Sequence, residues 1–237
     1  MAKHGKKYTD TLKKAPKEPV ALADAIAFIK ANPGAKFDET VEVAMHLGVD
    51  LNKSDQSIRG TVTLPNGTGK KVRVIVFAAG TQADDAKAAG ATEAGVDELI
   101  EKIKGGWMDF DVAIATTEAM KEVRKIARVL GPRGLMPNPK TGTVTDDVVA
   151  GVKAAMAGRV EFRMDRTGNV SVPAGKLSFE PKKLEENIVT IVKTIRAERP
   201  ASVKGVFIRS ITISSTMGVG VPVLHQADAA AESGVHR

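Results

Sequence analysis

The feature that most constrains this chain is a change of hydrophobic period between its middle and both of its ends. From Phe37 to Leu47 apolar and polar residues alternate, Val41, Val43 and Met45 against Glu42 and His46, and Ile58, Val62 and Leu64 repeat the pattern. A period of two predicts half-exposed strands of an antiparallel sheet. Val72-Arg73-Val74-Ile75-Val76-Phe77-Ala78 and Val112-Ala113-Ile114-Ala115 are instead nearly continuous apolar runs, the pattern of short strands covered on both faces by helices. At Gly158 the alternation returns with Val160, Phe162 and Met164, then a turn at Gly168, then Val170 and Val172.

Helical spacing fills the intervals. Leu22, Ile26 and Ile29 predict an amphipathic helix within Glu18 to Ala31, stopped by Asn32-Pro33-Gly34. The middle segment predicts helices near Gln82 to Ala89, around Leu99, Ile100 and Ile103, and through Met120, Val123, Ile126 and Leu130. A fourth has Thr145 as its cap, Asp146 and Asp147 in its first turn and Val149, Val152 and Met156 inward. Pro181 opens a long helix with Leu184, Ile188, Ile191 and Ile195 on one face, and Val206 to Ser214 is a last strand. The basic stretch before Glu18 and the residues from Gln226 read as tails.

Each outer segment holds too little apolar sequence for a core of its own. Joining them predicts an α/β protein of two domains. Residues 1–65 with 159–237 would form a split α+β domain built from both chain ends, and residues 66–158 an inserted three-layer βαβ (Rossmann-like) domain. Two crossings at one place also predict a hinge; three sequential segments are the alternative arrangement.

Between Ile126 and Val144 lies a stretch that neither helix nor strand can traverse. Pro132, Pro137 and Pro139 alternate there with Gly131, Gly134 and Gly142. Leu135 and Met136 within it argue against disorder, leaving a rigid connector or a functional loop.

Composition narrows the function. The 237 residues contain no cysteine, which excludes disulfides, thiolate metal sites and a thiol nucleophile. The N-terminus lacks a signal-like apolar run, and nowhere do eighteen apolar residues follow one another. A net charge of +7 and a pI near 9.5 suit a polyanionic partner. Residues 66–159 hold 14 Lys/Arg against 12 Asp/Glu, leaving 21 against 16 for the outer segments, so the split domain is the more basic. Aromatics are only 4% of the chain, which favours recognition of folded RNA by shape and backbone over base stacking on single strands.

Other chemistry finds little support. Gly67-Thr68-Gly69-Lys70 lacks the first glycine of a phosphate loop, having Leu64 there, and a strand follows where a helix is required. His4, His46, His225 and His236 are far apart, and Asp84-Asp85 and Asp146-Asp147 suit helix starts. No catalytic constellation, metal site or cofactor is expected. On the last strand Ser210, Thr212 and Ser214 share one face and lead to Thr216-Met217-Gly218. Such hydroxyls can meet phosphates or 2′-hydroxyls, and they equally suit an ordinary solvated sheet face. Lys36-Phe37 is open in the same way, since Phe37 could begin the core face of its strand.

GPRGLMPNPKTGTV, together with RGTVTLPNGTGK, AGKLSF and STMG, resembles the signature of the L-one family of large-subunit ribosomal stalk proteins, over about Tyr8 to Val223. The resemblance implies a non-enzymatic cytoplasmic protein, monomeric within the ribosome, that binds the stalk of large-subunit rRNA. It further implies help in releasing deacylated exit-site tRNA, and repression of its own operon through an rRNA-like mRNA site. It places the rRNA surface on the split domain, at Lys36, Phe37, Thr40, Ser210, Thr216, Met217 and Gly218, with Arg166 as an addition. Val219 stands where many members of the family have proline. The competing reading is an enzyme binding a nucleotide on the βαβ domain; a third is a repressor acting on mRNA alone.

Overall fold

The computed structural model describes residues 5–51 and 53–225. Residues 226–237, expected to form a tail, and His4 and His236 lie outside the described residues. The chain divides into two compact units, one drawing on Met1–Gly69 and Val160–Arg237, the other on Lys70–Arg159.

In the first unit, helix α1 (Lys6–Lys14) occupies the stretch expected to be a tail. It buries no residue, so it leaves no apolar stripe to read, and Lys13 and Lys14 in its last turn complement the helix dipole. Helix α2 (Leu22–Ala31) begins later than Glu18, because Val20 bridges to Val223 in extended backbone. Strands β1 (Thr40–Leu47) and β2 (Arg59–Thr63) follow the alternation. Phe37 lies before β1 and is 59% exposed, so it does not begin the core face.

The second unit supplies strand β3 (Val74–Phe77), helix α3 (Thr81–Ala88), strand β4 (Glu93–Ala94), helix α4 (Asp97–Lys104) and strand β5 (Val112–Ala115). The strands form a parallel sheet in the order β4-β3-β5. Ile75, Phe77, Ala113 and Ala115 face one core cluster with α4, while Val74, Val76 and Ile114 face another with Ala86 of α3. This double coverage is why the runs read as continuously apolar. The helix expected through Met120 to Leu130 is divided into α5 (Met120–Val123), a 3₁₀ turn (Arg124–Ile126) and α6 (Ala127–Leu130). Met120, Val123 and Ile126 are spaced by three, and three residues per turn keeps them on one face. Helix α7 (Val148–Met156) is capped by Asp147, whose side chain accepts from Ala150 N–H at 3.0 Å, and not by Thr145. Its inner face is Val148, Val152 and Ala155, and Met156 is exposed.

The chain returns to the first unit with β6 (Arg159–Arg163), β7 (Asn169–Lys176), helix α8 (Pro181–Ala197), β8 (Ile208–Ser215) and β9 (Val221–Val223). Strands order β7-β1-β8-β9 in an antiparallel sheet, and β2 pairs with β6 in a second. Helices α2 and α8 pack together beneath the larger sheet around Ile26, Ile29, Leu184, Ile188 and Ile191. The first unit extends past residue 65, to Gly69, because fully buried Asn187 of α8 holds the turn there. Its side chain accepts from Asn66 N–H at 3.1 Å and donates to the carbonyls of Gly67 at 3.0 Å and Ala174 at 2.7 Å.

The proline- and glycine-rich stretch is a knitted loop of the second unit. Asn138 N–H donates to Thr143 Oγ1 at 2.8 Å, and the Thr141 hydroxyl donates back to the Asn138 carbonyl at 3.0 Å. The Ala115 N–H donates to the Thr143 carbonyl at 2.9 Å, and Leu135 and Met136 pack on the core.

Candidate nucleic-acid interface

Strand β8 ends in a tight turn, Gly218 N–H donating to the Ser215 carbonyl at 3.0 Å, with Thr216 and Met217 at its tip. Along β8, Ile211 and Ile213 point into the core and Ser210, Thr212 and Ser214 outward, opposite His46, Ala44 and Glu42 of β1. The hydroxyl row therefore lies on the sheet face away from α2 and α8. Ser215 continues the inner row and is buried; a second buried polar group holds the turn itself.

That group is Glu39, with no exposed surface. Its Oε1 accepts the Ala35 N–H and its Oε2 accepts the Met217 N–H at 3.3 Å. Burial pushes the carboxyl up, but the Ser215 hydroxyl and the N–H groups of Ala35, Met217 and Gly34 outweigh it and hold the group below its ordinary value. Glu39 is thus an anion stabilised by protein dipoles. Gly34 completes the join: a Cβ there would lie 2.6 Å from the Met217 carbonyl oxygen, a distance only glycine permits. Thr216 Oγ1 accepts the Thr40 N–H at 3.0 Å.

The loop from Gly34 to Glu39 therefore touches the turn at both ends, with Lys36 and Phe37 exposed between the attachments. Met217 is 60% exposed beside it. Lys176 Nζ donates to Thr40 Oγ1 at 3.0 Å and to the Asp38 carbonyl at 3.3 Å, which places a further cation at the site. Lys7 of α1 donates to the Gly34 carbonyl at 2.9 Å. Between α1 and the turn is a cleft of ≈ 310 Å³ lined by Lys7, Tyr8, Asn32, Met217, Gly218 and Val219.

Lys36, Phe37, Thr40, Thr216, Met217 and Gly218 are thereby assembled at one end of the sheet. Ser210 is not among them: it pairs with His46, six residues along β1 from Thr40 and about 20 Å away at the usual strand rise. Arg166 is also at that far end, in the turn before Asn169, which pairs with His46 from the other side. Sequence reasoning passed over Glu39, Ser215, Gly34, Lys7 and Lys176. A serine continuing the isoleucine row and a glutamate two residues before Val41, in phase with the inner row of β1, were the available signals.

Elsewhere, Lys70 forms an ion pair with Asp111 at 2.7 Å. No cluster of potential metal ligands occurs among the described residues, and none of their helices is long and apolar enough to cross a membrane.

Residues 28–219 match the model of the ribosomal protein L1p/L10e family. The chain belongs to that family. It is also 54% identical over 220 residues to the large ribosomal subunit protein uL1 of Leuconostoc citreum (strain KM20), covering 92% of this chain and 96% of that protein. The matched region contains β1, the Gly34 to Glu39 loop and the turn at Thr216 to Gly218.

Proposed function

We propose that this protein is a structural RNA-binding component of the large ribosomal subunit, in the cytoplasm. Its split domain holds the stalk of large-subunit rRNA, with Lys36, Phe37, Thr40, Thr216, Met217 and Gly218 as the principal contact and Ser210 and Arg166 as outlying ones. From that position it assists release of deacylated tRNA from the exit site, and it represses translation of its own operon by binding an rRNA-like mRNA site. Family membership and the name of its Leuconostoc relative support this reading. The single observation that carries it is the locked junction of loop and turn, where exposed Phe37 and Met217 stand beside lysines over a rigid backbone. Apolar side chains against ribose faces and lysines against phosphates are what folded RNA requires.

A gel-shift titration against stalk rRNA, exit-site tRNA and the operon leader, with sedimentation of large subunits, tests it. Expected are co-sedimentation and a stalk-rRNA affinity that falls steeply with salt. Protein that remains in the supernatant and prefers no stalk RNA over an unrelated hairpin overturns the reading. Leader binding without co-sedimentation leaves the repressor role alone.

A further inference from the structure

A buried carboxylate is costly unless each oxygen finds a donor. Glu39 meets this requirement with backbone groups from two segments 182 residues apart in sequence, Ala35 and Met217. The chain leaves the carboxylate at Ala35, passes through Lys36, Phe37 and Asp38 and returns to Glu39 itself, so the exposed pair sits on a short closed ring. Met217, tied to the same carboxylate, carries the turn with it. No side chain except glutamate reaches both segments as an acceptor: glutamine would set an NH₂ against one of the two N–H groups, and alanine would leave both buried and unpaired.

We propose that Glu39 is a positioning residue for RNA binding. Accepting from Ala35 and Met217 at once, it sets the separation between the loop bearing Lys36 and Phe37 and the turn bearing Met217 and Gly218 before any RNA arrives. This rests on the reading that RNA is held at the turn. The consequence is preorganisation: the ordering of loop and turn is completed on folding, and binding does not have to supply it.

The test uses the full chain with Glu39→Gln, a stalk rRNA fragment, and amide hydrogen exchange of the free protein. Expected for the variant are at least tenfold weaker binding, an unchanged salt slope because no phosphate contact is removed, and faster exchange at Ala35 and Met217 with Val43 and Ile213 still protected. Wild-type affinity in the variant overturns the proposal, as does equal loss of protection at Val43 and Ile213. Should the variant fail to fold, exchange of the free wild-type protein decides: Ala35 and Met217 amides exchanging as in an unstructured chain would show that Glu39 holds nothing in advance. Wild-type protein that binds no stalk rRNA removes the RNA reading itself and the positioning role with it. Wild-type binding with an equally tight variant removes the positioning role alone.

Discussion

Thr216 Oγ1 accepts the backbone N–H of Thr40 at 3.0 Å and donates to the carbonyl of the same residue at 3.3 Å, so one hydroxyl pins the turn to the start of β1. Its proton is committed inside the protein, and only a lone pair remains for a partner. Thr216→Val removes both bonds and that acceptor. The expected cost is about 1–3 kcal/mol in stalk-rRNA affinity by gel shift, with a melting curve that shows a folded protein. Thr216→Ser retains the hydroxyl and should bind within about threefold of wild type, the thermal-energy scale of a disturbed but intact bond. Equal affinity for the valine variant would remove Thr216 from the site.

Gly34 gives a steric counterpart. An added Cβ meets backbone at 2.6 Å, the Met217 carbonyl, which cannot turn aside as a flexible side chain would. Gly34→Ala should therefore displace loop from turn and weaken rRNA binding at least tenfold. Overpacking of this kind costs about 1–3 kcal/mol of stability, which thermal melting would register. An alanine variant with wild-type affinity would show that the spacing of loop and turn does not matter to RNA.

How much of this was legible follows from what each residue touches. Buried rows such as Val41-Val43-Met45 and Leu184-Ile188-Ile191 carry their period in the sequence, because one face meets a core. Helix α1 buries nothing and β4 is two residues long, so neither has a period to find. In the site, Thr216-Met217-Gly218 drew notice for its hydroxyl and glycine, Lys36-Phe37 stood open between core and surface, and Thr40 came from the family resemblance alone. Glu39 and Ser215 were invisible because their meaning is mutual. A glutamate before a strand and a serine ending another come to lie buried by the same turn only when β1 and β8 align Val41 with Ser215. Likewise Ser210 lies within β8 and Thr216 in the turn that follows it, at opposite ends of the strand, which a family signature read along one dimension does not convey.

Asn187 should matter to stability without touching RNA. Replacing it by leucine keeps the volume but leaves the Gly67 and Ala174 carbonyls and the Asn66 N–H without their partner. An unsatisfied group costs about 1–3 kcal/mol when buried, and since those of Asn66 and Gly67 are only half-buried the low end applies to the three, so a loss of about 3 kcal/mol in all is expected for Asn187→Leu. Urea denaturation followed by circular dichroism should show a lower midpoint at unchanged slope. A midpoint within experimental error of wild type would mean that the turn at Asn66-Gly67 does not depend on α8.

The turn between β6 and β7 that presents Arg166 is organised by Asp165; the two strands it joins pair in different sheets, so it is not a hairpin. Its carboxylate accepts the Asn169 N–H, the Thr167 hydroxyl and the Thr167 N–H, each at 2.8 Å, and these bonds, led by the Asn169 N–H, lower its pKa to about 2. The folded value lies below the unfolded one, so the contribution to stability is complete above the ordinary aspartate range, near 3.9, and is lost as pH falls through about 2. An NMR titration of the Asp165 carboxyl should find its midpoint near that depressed value; a midpoint at the ordinary aspartate value would dismiss the turn as an organising feature. Asp165→Asn at neutral pH should speed amide exchange at Thr167 and Asn169. Since Arg166 stands about 20 Å of strand from Thr216, the same variant should weaken stalk-rRNA binding less than Thr216→Val does. The reverse order of affinities would move the principal contact to the far end of the sheet.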